Sequence, residues 1–113
     1  LDQTFKDLLT ERDSSLELKK SVISVMDSVY FTKPDEFKQA GLDQTFKALL
    51  EDQNGDSELK KSVISAMGKV YYRKPAEFKQ DGLDQTFNAL LEDQNGDSEL
   101  KKSVISAMNN VQR

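Results

Sequence analysis

Apolar residues recur at helical spacing along most of the chain, in segments that turn-forming residues separate. One segment begins at Leu42, and its apolar side chains fall at i, i+4, i+7 and i+8, the spacing of one face of an amphipathic helix. These positions are Leu42, Phe46, Leu49 and Leu50. In the segment from Ser57, the predicted buried stripe comprises Leu59, Val63, Ala66, Met67 and Val70. The predicted exposed side comprises Lys61, Ser65, Gly68 and Tyr72.

A shorter helix is predicted ahead of the segment that begins at Leu83. Pro75 suits its first position, where a backbone N–H would have no partner in any case. Phe78 is its apolar anchor. Gly82 suits a left-handed position at the end of the helix, since glycine adopts positive φ at little cost. One unit of the pattern therefore has three helices, of which the first is short.

The predicted second and third helices are separated by residues that favour turns. Asn54–Asp56 supplies such a turn in the middle of the chain. The first unit has a different sequence there, in which Ser14 and Glu17 form a predicted capping box for the next helix.

The pattern repeats with a period of 41 residues, in units 1–41, 42–82 and 83–113, the last of them truncated. "LDQTF" opens each unit, and "ELKKSVIS" recurs at the same interval. The second and third units differ at only a few positions, whereas the first diverges across Thr10–Leu16. Near-identical units indicate a recent duplication or repeats multiplied by design, within a single domain that covers 1–113.

Composition narrows the classes of function. The chain has no Cys and no His, so thiol chemistry, a catalytic triad and a typical zinc site are excluded. We therefore expect neither an enzyme nor a cofactor. The net charge of −4 argues against nucleic acid, and no apolar run suits a membrane span. The stretch from Asp52 does not fit a calcium loop, because Ser57 and Val63 replace the required Gly and Glu. No signal indicates a compartment, so a cytoplasmic location is the default assumption.

The stretch "FKQAGLDQTFKALLEDQNGDSELKKSVISAMGKV" resembles an armadillo repeat. Ala40-Gly41 matches the glycine that ends the family's short first helix, Leu49-Leu50 the end of its second, and Ala66–Val70 the end of its third. The period lies within the range of about 40–47 residues of armadillo and HEAT repeats. The resemblance implies an all-α fold, a right-handed α-solenoid of three-helix repeats. HEAT repeats and a simple helical hairpin repeat remain alternatives.

In armadillo proteins the third helices line a concave groove that binds an extended peptide. The resemblance places the family's groove Trp at Ser24, Ser65 and Ser106, and its groove Asn at Ser28, Lys69 and Asn110. Only Asn110 keeps the family type, so a receptor for nuclear localisation signals is not expected. The other predicted groove residues are Lys20, Lys61, Lys102, Phe31 and Tyr72, which favour an acidic peptide with an aromatic side chain.

The leading hypothesis is a non-enzymatic scaffold that binds a protein or an extended peptide. The main alternative is an engineered or recently duplicated structural repeat protein with no ligand of its own, for which the third-helix surface is simply solvated. A repeated surface antigen is a third possibility. Self-association is expected as well, because repeats cut at both ends leave apolar stripes uncovered. These stripes include Phe5 and Leu8 near the start of the chain and Val104 and Met108 near its end.

Overall fold

The computed structural model of the protein describes residues 2–11, 13–52, 55–93 and 96–113. These residues form eight helices and no strand, which confirms the predicted all-α class. Leu1 and Asn54, at a predicted repeat start and a predicted turn, lie outside the described residues. The helices are α1 (Asp2–Thr10), α2 (Leu16–Val29), α3 (Pro34–Gln39), α4 (Leu42–Glu51), α5 (Ser57–Val70), α6 (Pro75–Gln80), α7 (Leu83–Glu92) and α8 (Ser98–Gln112).

Proline and glycine mark the ends of the two short helices, as the sequence predicts. Pro34 and Pro75 occupy the first positions of α3 and α6. Gly41 and Gly82 follow these helices with φ of 74° and 76°, a left-handed conformation that residues with a Cβ adopt at a cost. The first and second helices of a unit are therefore separate helices that meet at a turn.

The third helix of each unit begins at a side chain that caps it. Asp56 and Asp97 accept hydrogen bonds from first-turn N–H groups of α5 and α8. Ahead of α2, the Ser15 hydroxyl accepts a hydrogen bond of 3.1 Å from the backbone N–H of Leu18. The predicted capping box at Ser14 is therefore wrong, because the extended residue that precedes the helix is Ser15.

The longer helices pack side by side in chain order. α5 contacts α2 on one side and α8 on the other, and α4 contacts α1 and α7. The two rows touch, since α1 contacts α2, α4 contacts α5, and α7 contacts α8. The result is a flat molecule of 31 × 31 × 18 Å, in which the row α2–α5–α8 contains the third helix of each unit.

Edge-to-face aromatic rings connect successive units through the core. The ring of Phe37 lies 5.5, 5.0 and 6.4 Å from those of Tyr30, Phe46 and Tyr71 between centroids. Tyr71 in turn lies 5.5 Å from Phe78, whose ring lies 4.9 Å from that of Phe87 in the third unit. Each such pair contributes about 0.5–1.5 kcal/mol beyond the burial of its area. The apolar core is therefore continuous from the first unit into the third.

The predicted apolar stripe of α5 is buried in full, and the prediction omitted Ile64 and Tyr71, which are also buried. Gly68 is buried as well, although the sequence pattern placed it on the exposed side. A Cβ atom at Gly68 would lie 3.1 Å from the Cα of Ala107. That prediction is wrong because α8 packs against the side of α5 that carries Gly68.

The apolar positions predicted to be uncovered at the two ends are largely covered. Phe5 and Val104 are buried, and Leu8 and Met108 are partly buried against the core. The prediction is wrong because α1 packs on α2 and α4, and α8 packs on α5, α6 and α7. In the part of the chain that the structure describes, the exposed large apolar side chains are Leu18, Val25, Val29, Phe31 and Ile105.

Candidate binding surface

The row α2–α5–α8 presents all of the predicted groove residues on the surface of the molecule. We call these eleven residues the third-helix face, and none of them is buried. Equivalent positions recur because the three helices carry the same sequence pattern and lie side by side. The exposed members are Ser24, Ser28, Phe31, Ser65, Lys69, Lys102 and Ser106, and the partly exposed members are Lys20, Lys61, Tyr72 and Asn110.

Two shallow depressions lie between neighbouring helices of this row. The one between α2 and α5 has a volume of about 420 Å³, and its lining includes Lys20, Ser24, Lys61 and Ser65. The one between α5 and α8 has a volume of about 250 Å³, and its lining includes Ser65, Lys102, Ser106 and Asn110. Ser65 lines both depressions, so they are adjacent on the face.

Carboxylates that sequence reasoning missed lie against the lysines of this face. Lys61 forms an ion pair of 2.9 Å with Glu58, and Lys102 one of 3.3 Å with Glu99. The hydrogen bond to Glu58 raises the pKa of Lys61. The signal was present in the sequence, since each glutamate precedes its lysine by three residues, a spacing that places both on one side of a helix.

A third ion pair joins neighbouring helices. Lys69 of α5 lies 3.2 Å from the carboxylate of Asp27 on α2, whose side chain is largely buried. Lys20 forms no ion pair with any residue that the structure describes. Nearby carboxylates therefore compensate the positive charge of three lysines on this face, whereas none of the described carboxylates pairs with Lys20.

Aromatic side chains meet at the end of the face. Phe31 stacks on Tyr72 with 5.9 Å between ring centroids and 24° between planes. The guanidinium of Arg73 lies 5.5 Å from the Tyr72 ring centroid, at a distance that suits a cation–π contact. Sequence reasoning missed Arg73, although it follows Tyr72 directly.

The turns after α2 and α5 connect each of these helices to the next third helix in the row. Thr32 and Arg73 adopt positive φ of 56° and 62°, which is uncommon for residues with a Cβ atom. In this conformation the N–H of Thr32 donates to the carbonyl of Lys69, and that of Arg73 to the carbonyl of Asn110, each at 3.1 Å. Each turn is thereby attached to the end of the next third helix.

A polar cluster around Asp81 holds α3, α5 and α6 together. The Tyr71 hydroxyl donates a hydrogen bond of 2.6 Å to Asp81, and Lys38 forms an ion pair of 2.9 Å with the same carboxylate. Burial, followed by this hydrogen bond, raises the pKa of the Tyr71 phenol. Lys47 also donates to the Asp81 carbonyl at 3.1 Å. Neither Tyr71 nor Asp81 lines the depressions of the third-helix face, so the cluster serves to join helices.

A larger depression lies on the other row of helices, and sequence reasoning did not find it. It has a volume of about 1010 Å³ and lies between α4 and α7. Its rim carries both signs of charge, with Lys47 and Lys60 opposed by Glu51 and Asp93. Mixed charges around a wide, open surface do not select one class of ligand.

The residues that the structure describes contain no group of three or more acidic side chains placed to hold a metal ion. None of their helices has the length and apolar character that crossing a bilayer requires.

Comparison of the chain with known protein families, with curated proteins and with solved structures finds no match. The armadillo resemblance therefore stays a prediction.

Proposed function

We propose that the chain is a non-enzymatic helical-repeat scaffold that binds an extended peptide across the third-helix face. The observation that carries the proposal is the pair of adjacent depressions that share Ser65. Both are lined by the same side-chain types, a lysine and serines, at positions one repeat apart. A surface of this kind can hold a ligand that itself repeats, as the backbone of an extended peptide does.

The proposed architecture is a right-handed, armadillo-like α-solenoid. Three observations support it: a short helix that begins at proline, a left-handed glycine after it, and third helices that lie side by side. In such a stack each unit buries its apolar face against its neighbours, and the stacked third helices form one elongated surface.

The length of the ligand follows from the spacing of the helices. Packed helices lie about 8–10 Å apart, and an extended chain advances about 3.3 Å per residue. Each step along the row therefore spans about three peptide residues, and the two depressions together take about six. Serine hydroxyls at each step can donate hydrogen bonds to the peptide backbone or accept hydrogen bonds from it.

An acidic peptide with an aromatic side chain is the proposed ligand class. Lys20 is free to pair with a ligand carboxylate. The Lys102–Glu99 pair is solvent-exposed on both sides, and exposed pairs contribute little stability, so a ligand carboxylate can replace the glutamate. The exposed ring of Phe31, stacked on Tyr72, offers the aromatic contact. Neither nucleic acid nor a membrane is part of this proposal.

The test uses a labelled peptide of about eight residues that alternates Glu with Ser and contains one Tyr. We expect it to bind, as measured by fluorescence anisotropy, and to bind less tightly as salt rises toward about 0.15 M. A matched peptide with Lys in place of each Glu should bind at least about tenfold more weakly, a difference of about 1.4 kcal/mol.

Two variants locate the binding. Ser65→Glu places a negative charge where the two depressions meet, and it should weaken binding of the acidic peptide about tenfold or more. Gln85→Glu makes the same change on α7, in the lining of the larger depression, and should leave binding unchanged. Equal binding of the two peptides, or a loss confined to Gln85→Glu, would contradict the proposal.

The alternative is a structural repeat protein with no ligand of its own. The near-identity of the second and third units favours it, because recent duplication or design copies surface positions whether or not they bind a ligand. A folded chain that binds neither the acidic nor the basic peptide would support this alternative.

A further inference from the structure

The first two units share a buried tyrosine just after their third helix. Tyr30 and Tyr71 cap the ends of α2 and α5, and both are buried. Each ring makes an edge-to-face contact with Phe37, and each hydroxyl donates to a carboxylate, that of Asp2 for Tyr30. An aromatic ring with a carboxylate acceptor therefore occupies this position twice.

The third unit has Gln112 at the equivalent position, and its side chain is exposed. Beside it lies a depression of about 380 Å³ between α6, α7 and α8. We call it the Gln112 depression, and its volume lies at the low end of the range of about 300–1,000 Å³ typical of ligand pockets. Its apolar lining includes Phe78, Met108 and Val111, and its polar lining includes Asp84 and Lys79.

The surroundings of Tyr71 recur around this depression one unit later. Phe37 contacts the Tyr71 ring at 6.4 Å between centroids and 87° between planes. Burial and the hydrogen bond to Asp81 raise the pKa of the Tyr71 phenol, and the charges of Asp43 and Asp35 add to the rise. The residues 41 positions after Phe37, Asp43 and Asp35 all line the Gln112 depression, and they are Phe78, Asp84 and Ala76.

Asp84 supplies the equivalent carboxylate in the third unit, but no described side chain donates a hydrogen bond to it. Its carboxylate is partly buried, and no described residue forms a hydrogen bond or ion pair with it. In the first unit the equivalent carboxylate of Asp2 accepts the hydroxyl of Tyr30. A partly buried acceptor beside an apolar wall suits a ligand that is aromatic at one end and donates a hydrogen bond at the other.

We propose that the Gln112 depression is a binding site for a phenol ring, as carried by a tyrosine side chain of a partner peptide. The ring lies against Phe78, Met108 and Val111, and its hydroxyl donates to Asp84. The site is independent of the third-helix face, because no residue of that face lines it. Its ligand takes the place that Tyr71 fills one unit earlier.

The test is a titration of the whole chain with p-cresol, followed by two-dimensional NMR of the backbone amides. We expect shifts concentrated around Phe78 and Val111. Toluene, which has the same ring without the hydroxyl, should bind about tenfold more weakly. Asp84→Asn should remove most of the advantage of p-cresol over toluene, because an amide accepts the phenol hydroxyl less strongly than a carboxylate does.

A second variant fills the site. Gln112→Tyr supplies the missing ring from the chain itself, so it should abolish p-cresol binding and raise the midpoint of thermal unfolding. Gln39→Tyr is the matched control, since it adds a tyrosine at an exposed position outside the depression, and it should bind p-cresol like the parent.

Three results would overturn the proposal. They are an absence of shifts with p-cresol, equal affinity for p-cresol and toluene, and unchanged p-cresol binding by Gln112→Tyr. Because Gln112→Tyr is expected to stabilise the fold, the test does not depend on how well Asp84→Asn folds. Failure of the acidic peptide to bind the third-helix face would leave this result unaffected.

Discussion

The hydroxyl of Tyr71 donates a hydrogen bond of 2.6 Å to the carboxylate of Asp81, across the junction between α5 and α6. The Asp81 side chain is 5% exposed, and its second strong partner is Lys38 of α3. One carboxylate thus joins two successive three-helix repeats, since α3 and α5 belong to one of them and Asp81 follows α6, the first helix of the next.

We expect Tyr71→Phe to destabilise the fold by about 1–3 kcal/mol, because it leaves a buried carboxylate without one of its donors. Chemical denaturation measures the change in the free energy of unfolding. Tyr72→Phe is the matched control, and it should change stability by less than about 0.5 kcal/mol because Tyr72 is partly exposed. Equal losses in the two variants would mean that the hydroxyl of Tyr71 contributes nothing specific.

Stability should fall in alkaline solution. Burial raises the pKa of both Tyr30 and Tyr71 in the folded chain, whereas an unfolded tyrosine titrates near about 10. Above that pH the unfolded state loses the phenol protons and the folded state keeps them, so unfolding becomes more favourable as pH rises. The stabilising effect is fully present below about pH 10 and is lost above it.

Denaturation curves recorded between about pH 8 and about pH 11.5 test this dependence. Tyr71→Phe should show a shallower loss of stability than the parent, since one of the two titrating groups is gone. A parent curve that stays flat above about pH 10 would contradict the predicted linkage.

Gly68 allows the close approach of α5 and α8. We expect Gly68→Val to destabilise the fold by about 1–3 kcal/mol, because the added atoms would meet the backbone of Ala107. Ser65→Val is the control, since it adds a β-branched residue to the same helix at an exposed position and should cost less than about 0.5 kcal/mol. If the two variants unfold at the same denaturant concentration, the contact with Ala107 does not limit the size of the residue at position 68.

Self-association is expected through outer faces that differ from those the sequence suggested. Val25 is 51% exposed on α2, whereas the equivalent Ala66 of α5 is buried. Ile105 is 59% exposed on α8, whereas the equivalent Ile64 is buried. Within the chain, this type of interface forms twice, between α2 and α5 and between α5 and α8. The outer face of α8 in one copy can therefore pack against the outer face of α2 in a second copy, head to tail.

Light scattering over about a hundredfold range of concentration tests this association, which should raise the average mass. The Val25→Lys variant and the Ile105→Lys variant should each stay monomeric when measured alone. A mixture of the two variants should form a one-to-one pair that grows no further, because each variant keeps one intact face. A parent chain that holds the mass of one copy throughout would contradict the expectation.

Local sequence determined the positions of the helices and most of the core. Pro75 and Gly82 mark helix ends, because proline lacks the N–H that would have no partner in the first turn and glycine adopts positive φ at little cost. The spacing of Leu59, Val63 and Val70 identifies the buried stripe of α5, because a helix has one periodicity wherever it lies. The armadillo resemblance suggested the groove residues, and their spacing of three and four positions places them on one side of each third helix.

Only the tertiary structure decided which sides of the helices meet a neighbour. Gly68 is buried and Val25 is exposed, although hydropathy predicts the reverse, because α8 covers one side of α5 and nothing described covers the outer side of α2. The pairing of Asp81 with Tyr71 and Lys38 was equally absent from the pattern. Periodicity along a helix records which residues share a face, whereas contacts between units depend on how distant parts of the chain pack together.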